Sequence, residues 1–145
     1  MSARPVLTPA RLGVAGAVLA AVIALTLAPR AIAWPARTLV LDALDHLPPS
    51  WTAVVLGAGT DVALNVAFFV PLGAAMAVLL PLRWAPASLP LCALVSFAVE
   101  ILQAGIPGRV PDADDVLSNT IGAAIGTVVV IALRVVARGG RAARR

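Results

Sequence analysis

Three pairs of polar residues stand out in a largely apolar chain: Asp61 with Asn65, Glu100 with Gln103, and Asp115 with Asn119. The members of each pair are three or four positions apart, so on a helix they share one face. Carboxylates so placed could serve as acid and base, carry a proton across a membrane, or hold the head of a ligand. The run Asp112-Ala-Asp114-Asp115 could meet a divalent cation through oxygen, although most such runs are simply solvated. His46 is the single histidine and Cys92 the single cysteine. That argues against a histidine- or cysteine-built metal site and excludes an intramolecular disulfide. No glycine-rich phosphate loop and no nucleophile elbow is present. The expectation is therefore no metal and no cofactor, with binding ranked above catalysis.

These residues must be positioned by elements that suit the rest of the chain. Of 145 residues, 61% are hydrophobic and only 12% charged, about half the charge of an ordinary soluble domain. Four stretches are long and apolar enough to cross hydrocarbon, which takes roughly 20 residues: 12–28, 62–82, 84–106 and 116–133. Lipid cannot satisfy backbone polar groups, so these spans are helices. The fold class is all-α: an integral membrane protein of four transmembrane helices. Residues 37–47 place Thr38, Asp42 and Asp45 on one face and Val40, Leu44 and Leu47 on the other. Such a segment suits an amphipathic helix lying on the outer surface between the first two spans. Pro48 and Pro49 stop it, and Trp34 and Trp51 bracket it as interfacial anchors. The division is a cytoplasmic N-terminus over 1–11, one membrane domain over 12–133, and a basic tail over 134–145. The first span resembles a signal peptide before Ala31-Ile32-Ala33, but its apolar core is long for one, and a retained helix is the better reading.

Orientation follows from arginine. All eleven basic residues are Arg, five of them in the last twelve positions. With four crossings the side of the termini holds eight Arg and the other side three, Arg30, Arg37 and Arg109. Positive residues stay inside, so both termini are expected in the cytoplasm. A basic tail beside a hydrophobic helix suits anionic lipid headgroups rather than nucleic acid. All three polar pairs then fall at the outer end of the bundle.

Each polar residue also has a plain structural explanation. Asp61 and Asp115 open helices, where a carboxylate caps and favours the dipole. Asn65 and Asn119 lie a turn deeper, where amides join helices. Glu100 sits near a helix C-terminus, where the dipole disfavours it, so it needs a partner; Arg109 is the nearest on that side. Asp61-Val-Ala-Leu-Asn65 matches Asp115-Val-Leu-Ser-Asn119, which suggests two hairpins related by a parallel repeat. Ser118, Gly122 and Gly126 form a small-residue stripe that lets another helix approach, and offers a contact between copies of the chain. Pro71 and Gly73 are expected to kink the second span.

Taken together, Asn65, Phe69-Val-Pro71-Leu-Gly73, Glu100-x-x-Gln103, Arg109 and Asp112-x-x-Asp115-Val-x-x-Asn119-Thr-x-Gly122-x-x-x-Gly126 resemble the VanZ-like family of small membrane proteins. The resemblance covers Asp61 to about Leu133 and not the first 60 residues. That family is named for an accessory protein of glycopeptide-resistance clusters, associated with low-level teicoplanin resistance, and no established reaction comes with the name. The resemblance implies a bacterial cytoplasmic-membrane protein of the cell envelope with a role in antibiotic tolerance. On this basis the expected partners are the lipid bilayer and a lipid-linked cell-wall intermediate or lipoglycopeptide. The rivals are an outer-leaflet enzyme using Glu100 and an Asp, and a small proton-coupled transporter.

Overall fold

In the computed structural model, which describes residues 7–106 and 112–142, every regular element is a helix. Helix α1 spans Pro9–Leu27, α2 Arg30–Asp45, α3 Pro49–Gly57, α4 Thr60–Leu79, α5 Ser88–Ala104 and α6 Ala113–Ala142, with a short 3-10 helix, Leu82–Ala87, before α5. Four of these segments are long and apolar enough to cross a membrane: α1, α4, the 3-10 helix joined to α5, and α6 to Gly140.

Local chemistry sets the boundaries. Thr8 accepts the Arg11 N–H at 3.3 Å and Pro9 stands at the first position, so α1 begins there. It ends because Pro29 forces Ala28 into an extended conformation, ψ 146. Pro81 does the same to Leu80 after α4. Gly59 turns the chain into α4 at φ 107, a conformation that side chains rarely tolerate.

Between α1 and α4 the chain makes two helices. Helix α2 begins at Arg30 rather than Arg37 and runs through Pro35, which removes only the bond to the carbonyl one turn back. Pro48 and Pro49 end one helix and also start the next, since proline is suited to a first turn. Of the expected apolar face, Val40 packs against the core and Leu44 is half-buried, but Leu47 is exposed, as are Asp42 and Asp45.

The core gathers Val22, Leu64, Phe68, Phe69, Leu72, Cys92 and Ala123 from α1, α4, α5 and α6. Helix α4 is the hub, and its closest neighbour is α6. The two run parallel, because successive turns of α4 meet successive turns of α6. A Cβ on Gly122 would lie 2.1 Å from the Val66 carbonyl oxygen, and one on Gly126 2.0 Å from that of Val70. A Cβ on Gly73 would lie 2.1 Å from the Ala123 carbonyl oxygen. Glycine at these three positions lets the backbones touch. The stripe expected to admit another helix is thus filled by α4 of the same chain, and Gly122 and Gly126 have no free face for a second copy.

Helix α6 corrects one boundary. It does not stop at Leu133 but continues through thirty residues to Ala142. At 1.5 Å per residue it is about 45 Å long, longer than a hydrocarbon core of about 30 Å. Arg134 therefore belongs to the bundle rather than to a separate tail. Its guanidinium donates at 2.8 Å to the carbonyls of Ala77 and Leu80, which α4 leaves unpaired at its end.

Candidate functional site

The directions of the helices bring α4 and α6 to begin, and α1 and α5 to end, at one polar end of the bundle. Here Asn65 donates to Asp115 Oδ1 at 2.7 Å, joining the second turn of α4 to the first turn of α6. The bond joins the end of one Asp-Val-x-x-Asn phrase to the start of the other. Their deeper amides diverge: Asn65 is half-buried and serves α6, whereas Asn119, 3% exposed, turns to α5 and donates to Ser96 Oγ at 2.8 Å.

Helix capping is distributed differently from the expectation. The N-cap of α4 is Gly59, with no side-chain cap, and Asp61 instead pairs with Arg37 of α2. For α6 the capping turn belongs to Asp112, whose Oδ1 accepts the Asp114 N–H at 2.9 Å and whose carbonyl accepts the Asp115 N–H at 3.1 Å. Asp115 is left to hold Asn65.

Glu100 is buried, 6% exposed, and its Oε2 accepts the Asp112 N–H at 3.0 Å. An amide at a helix N-terminus is an apt partner, because it presents positive charge without a counter-ion. Arg109, the partner considered from the sequence, lies outside the described residues. Gln103, equally buried, donates to the Thr26 carbonyl at 2.8 Å and ties α5 to the end of α1.

These side chains surround a cleft of about 350 Å³, lined by Asp61, Asn65, Gln103, Asp112, Asp114 and Asp115 together with Arg37, Thr26, Leu25, Val62 and Phe68. Glu100 and Asn119 are not in its wall; they lie behind it. Among the described residues no three carboxylate, histidine or cysteine groups are gathered closely enough to hold a metal ion. Among the described residues four Asp and one Arg line the cleft, and that Arg37 is paired to Asp61. Such a surface attracts cations and hydrogen-bond donors.

Comparison with known proteins decides the family. A family model described as VanZ/LLP1 matches residues 17–134. The chain belongs to the VanZ/LLP1 family. The match extends well beyond the residues that carried the resemblance, taking in most of α1, all of α2 and α3, and so the Arg37 side of the cleft. No curated protein and no solved structure matches. The VanZ/LLP1 region thus includes every helix that contributes to the polar end.

Several residues of this VanZ/LLP1 site were not legible as such. Arg37 was visible only as one Arg among the loop charges, with nothing local pointing to Asp61. The signal for Ser96 is spacing: Ser88, Cys92, Ser96 and Glu100 recur every four residues, and all are buried along one face of α5. At the opposite end of that face Ser88 and Thr127 share a hydrogen bond of 2.7 Å.

Proposed function

We propose that this VanZ/LLP1 protein sits in the bacterial cytoplasmic membrane with both termini in the cytoplasm. Its cleft then faces the outer leaflet, where it binds the head of an amphiphilic ligand and contributes to tolerance of glycopeptides such as teicoplanin. The observation that carries this reading is the cleft itself: an open, acidic recess at the polar end of a bundle whose remaining surface suits lipid. Its carboxylates would repel the phosphates of a lipid-linked cell-wall intermediate. A lipoglycopeptide is therefore the better of the two ligand classes. Catalysis has less support, because Glu100 is buried behind the wall and engaged by an amide.

The test removes charge without removing the fold. Asp112→Asn with Asp114→Asn keeps a good capping residue at 112 and eliminates two carboxylates from the cleft. In a strain whose teicoplanin tolerance depends on this gene, the double variant should fall to the level of the deletion strain. Its amount in the membrane and its melting temperature should stay at the parent's. Unchanged tolerance at equal amount would overturn the reading.

A further inference from the structure

The acidic cleft adjoins an apolar groove of about 370 Å³ between α1, α2 and α4, and the core residue Phe68 of α4 and Leu25 of α1 line both. That groove continues along α1 and α4 into a second section of about 420 Å³, the two sharing Val18 and Pro71. The depression exists because Ala21, Ala36 and Ala67 present only methyl groups where larger side chains would fill it. From Leu25 to Ala10 the path is about 22 Å long at 1.5 Å per residue, more than the roughly 15 Å depth of one leaflet's hydrocarbon.

A groove of this kind in a membrane is occupied by hydrocarbon, since lipid tails are the only solvent available to it. The chemistry at its mouth decides which hydrocarbon. The mouth opens on Asp61, Asp112, Asp114 and Asp115, with Arg37 already paired to Asp61. Asp112, Asp114 and Asp115 have no guanidinium partner among the described residues. An anionic head at that position meets like charge. A cationic head meets opposite charge at the boundary of a low-dielectric region, where the attraction is less screened than in water.

We propose that the ligand of this site is a cationic amphiphile with a single long alkyl or acyl chain, its head in the acidic cleft and its chain in the groove between α1 and α4. This deepens the amphiphile-binding reading above and rests on it. The groove serves as the specificity element for the tail, and the aspartates for the head. Substituents at positions 21 and 67 set how much chain is admitted.

The full chain in nanodiscs of phosphatidylcholine provides the test. The probe is hexadecyltrimethylammonium carrying a diazirine near the end of its chain, compared with hexadecyl sulfate carrying the same group. The cation should label α1 and α4 at the groove, with the sulfate about tenfold weaker, a discrimination that a few partly screened charge pairs supply. Ala67→Phe and, separately, Ala21→Phe should abolish groove labelling, and either alone suffices if the other melts below the parent. Asp112→Asn with Asp114→Asn should narrow the gap between cation and sulfate. Equal labelling by the two probes, or labelling indifferent to both groove variants, overturns the proposal. Groove labelling by the cation with drug tolerance independent of the aspartates would leave the ligand assignment standing and remove the tolerance role. Aspartate-dependent tolerance without groove labelling would do the reverse.

Discussion

Asn65 Nδ2 and Asp115 Oδ1 meet at 2.7 Å between two parallel helices that begin with the same phrase. The bond fixes the register of α4 against α6 at the polar end, about two turns of α6 before the first glycine contact at Gly122. Asn65→Ala should lower stability in detergent by about 1 kcal/mol, the usual worth of an interhelical side-chain bond in a membrane protein. Combined with Asp115→Ala, a double-mutant cycle should recover a coupling of similar size. Strict additivity of the two losses would show that the contact is not energetically real.

The glycine contacts are more costly to disturb. Gly126→Ala places a methyl 2.0 Å from the Val70 carbonyl oxygen, and neither helix can give way without moving its backbone. A loss of about 3 kcal/mol is expected, as for overpacking of a tight core. Gly13→Ala is the control, because a Cβ there meets nothing within 4 Å; it should be neutral or slightly stabilising. Thermal melts of the two variants side by side check the contrast, and equal melting temperatures would count against the α4–α6 packing.

Glu100 acts on the Asp112 amide as an acceptor, and an acceptor need not be charged. Glu100→Gln, which can keep an oxygen at that place, should melt close to the parent. Glu100→Ala, which cannot, should lose about 1–3 kcal/mol. If the glutamine variant is as damaged as the alanine variant, the charge itself carries the interaction and a cationic partner must be sought.

Orientation is open to cysteine labelling. With Cys92→Ala as background, Asp114→Cys should react with an impermeant maleimide added to intact cells, since Asp114 lies in the first turn of α6 at the polar end. Gly140→Cys, at the far end of α6, should react only after permeabilisation. The reverse pattern would invert the arginine-based topology.

The four spans and the polar clustering were legible in the sequence because both depend on local quantities. Apolar length sets whether a helix crosses, and alternating direction places the start of α4, the end of α5 and the start of α6 at one end. The small-residue stripe on α6 was likewise a local signal. Helix α3 is not legible in the sequence because Pro48 and Pro49 read as a stop, whereas proline tolerates a first turn as readily as it ends the preceding one. By its charge the run from Arg134 onward reads as a tail; the unpaired carbonyls at the end of α4 hold Arg134 itself against the bundle.

By itself, then, the sequence determined the class of the protein, the number of apolar spans and the end of the bundle where its carboxylates collect. The tertiary structure alone decided which carboxylate does what. Asp61 meets Arg37, Asp115 meets Asn65, Asp112 caps α6, and Glu100 is buried against the Asp112 amide. The same phrase in α4 and α6 leads one asparagine to a carboxylate and the other to Ser96. The physical reason is that spacing along a helix says which residues share a face, but not toward which neighbour that face is turned. That rotation is set by how closely the backbones pack, here by glycines whose contacts lie some fifty residues away in the chain.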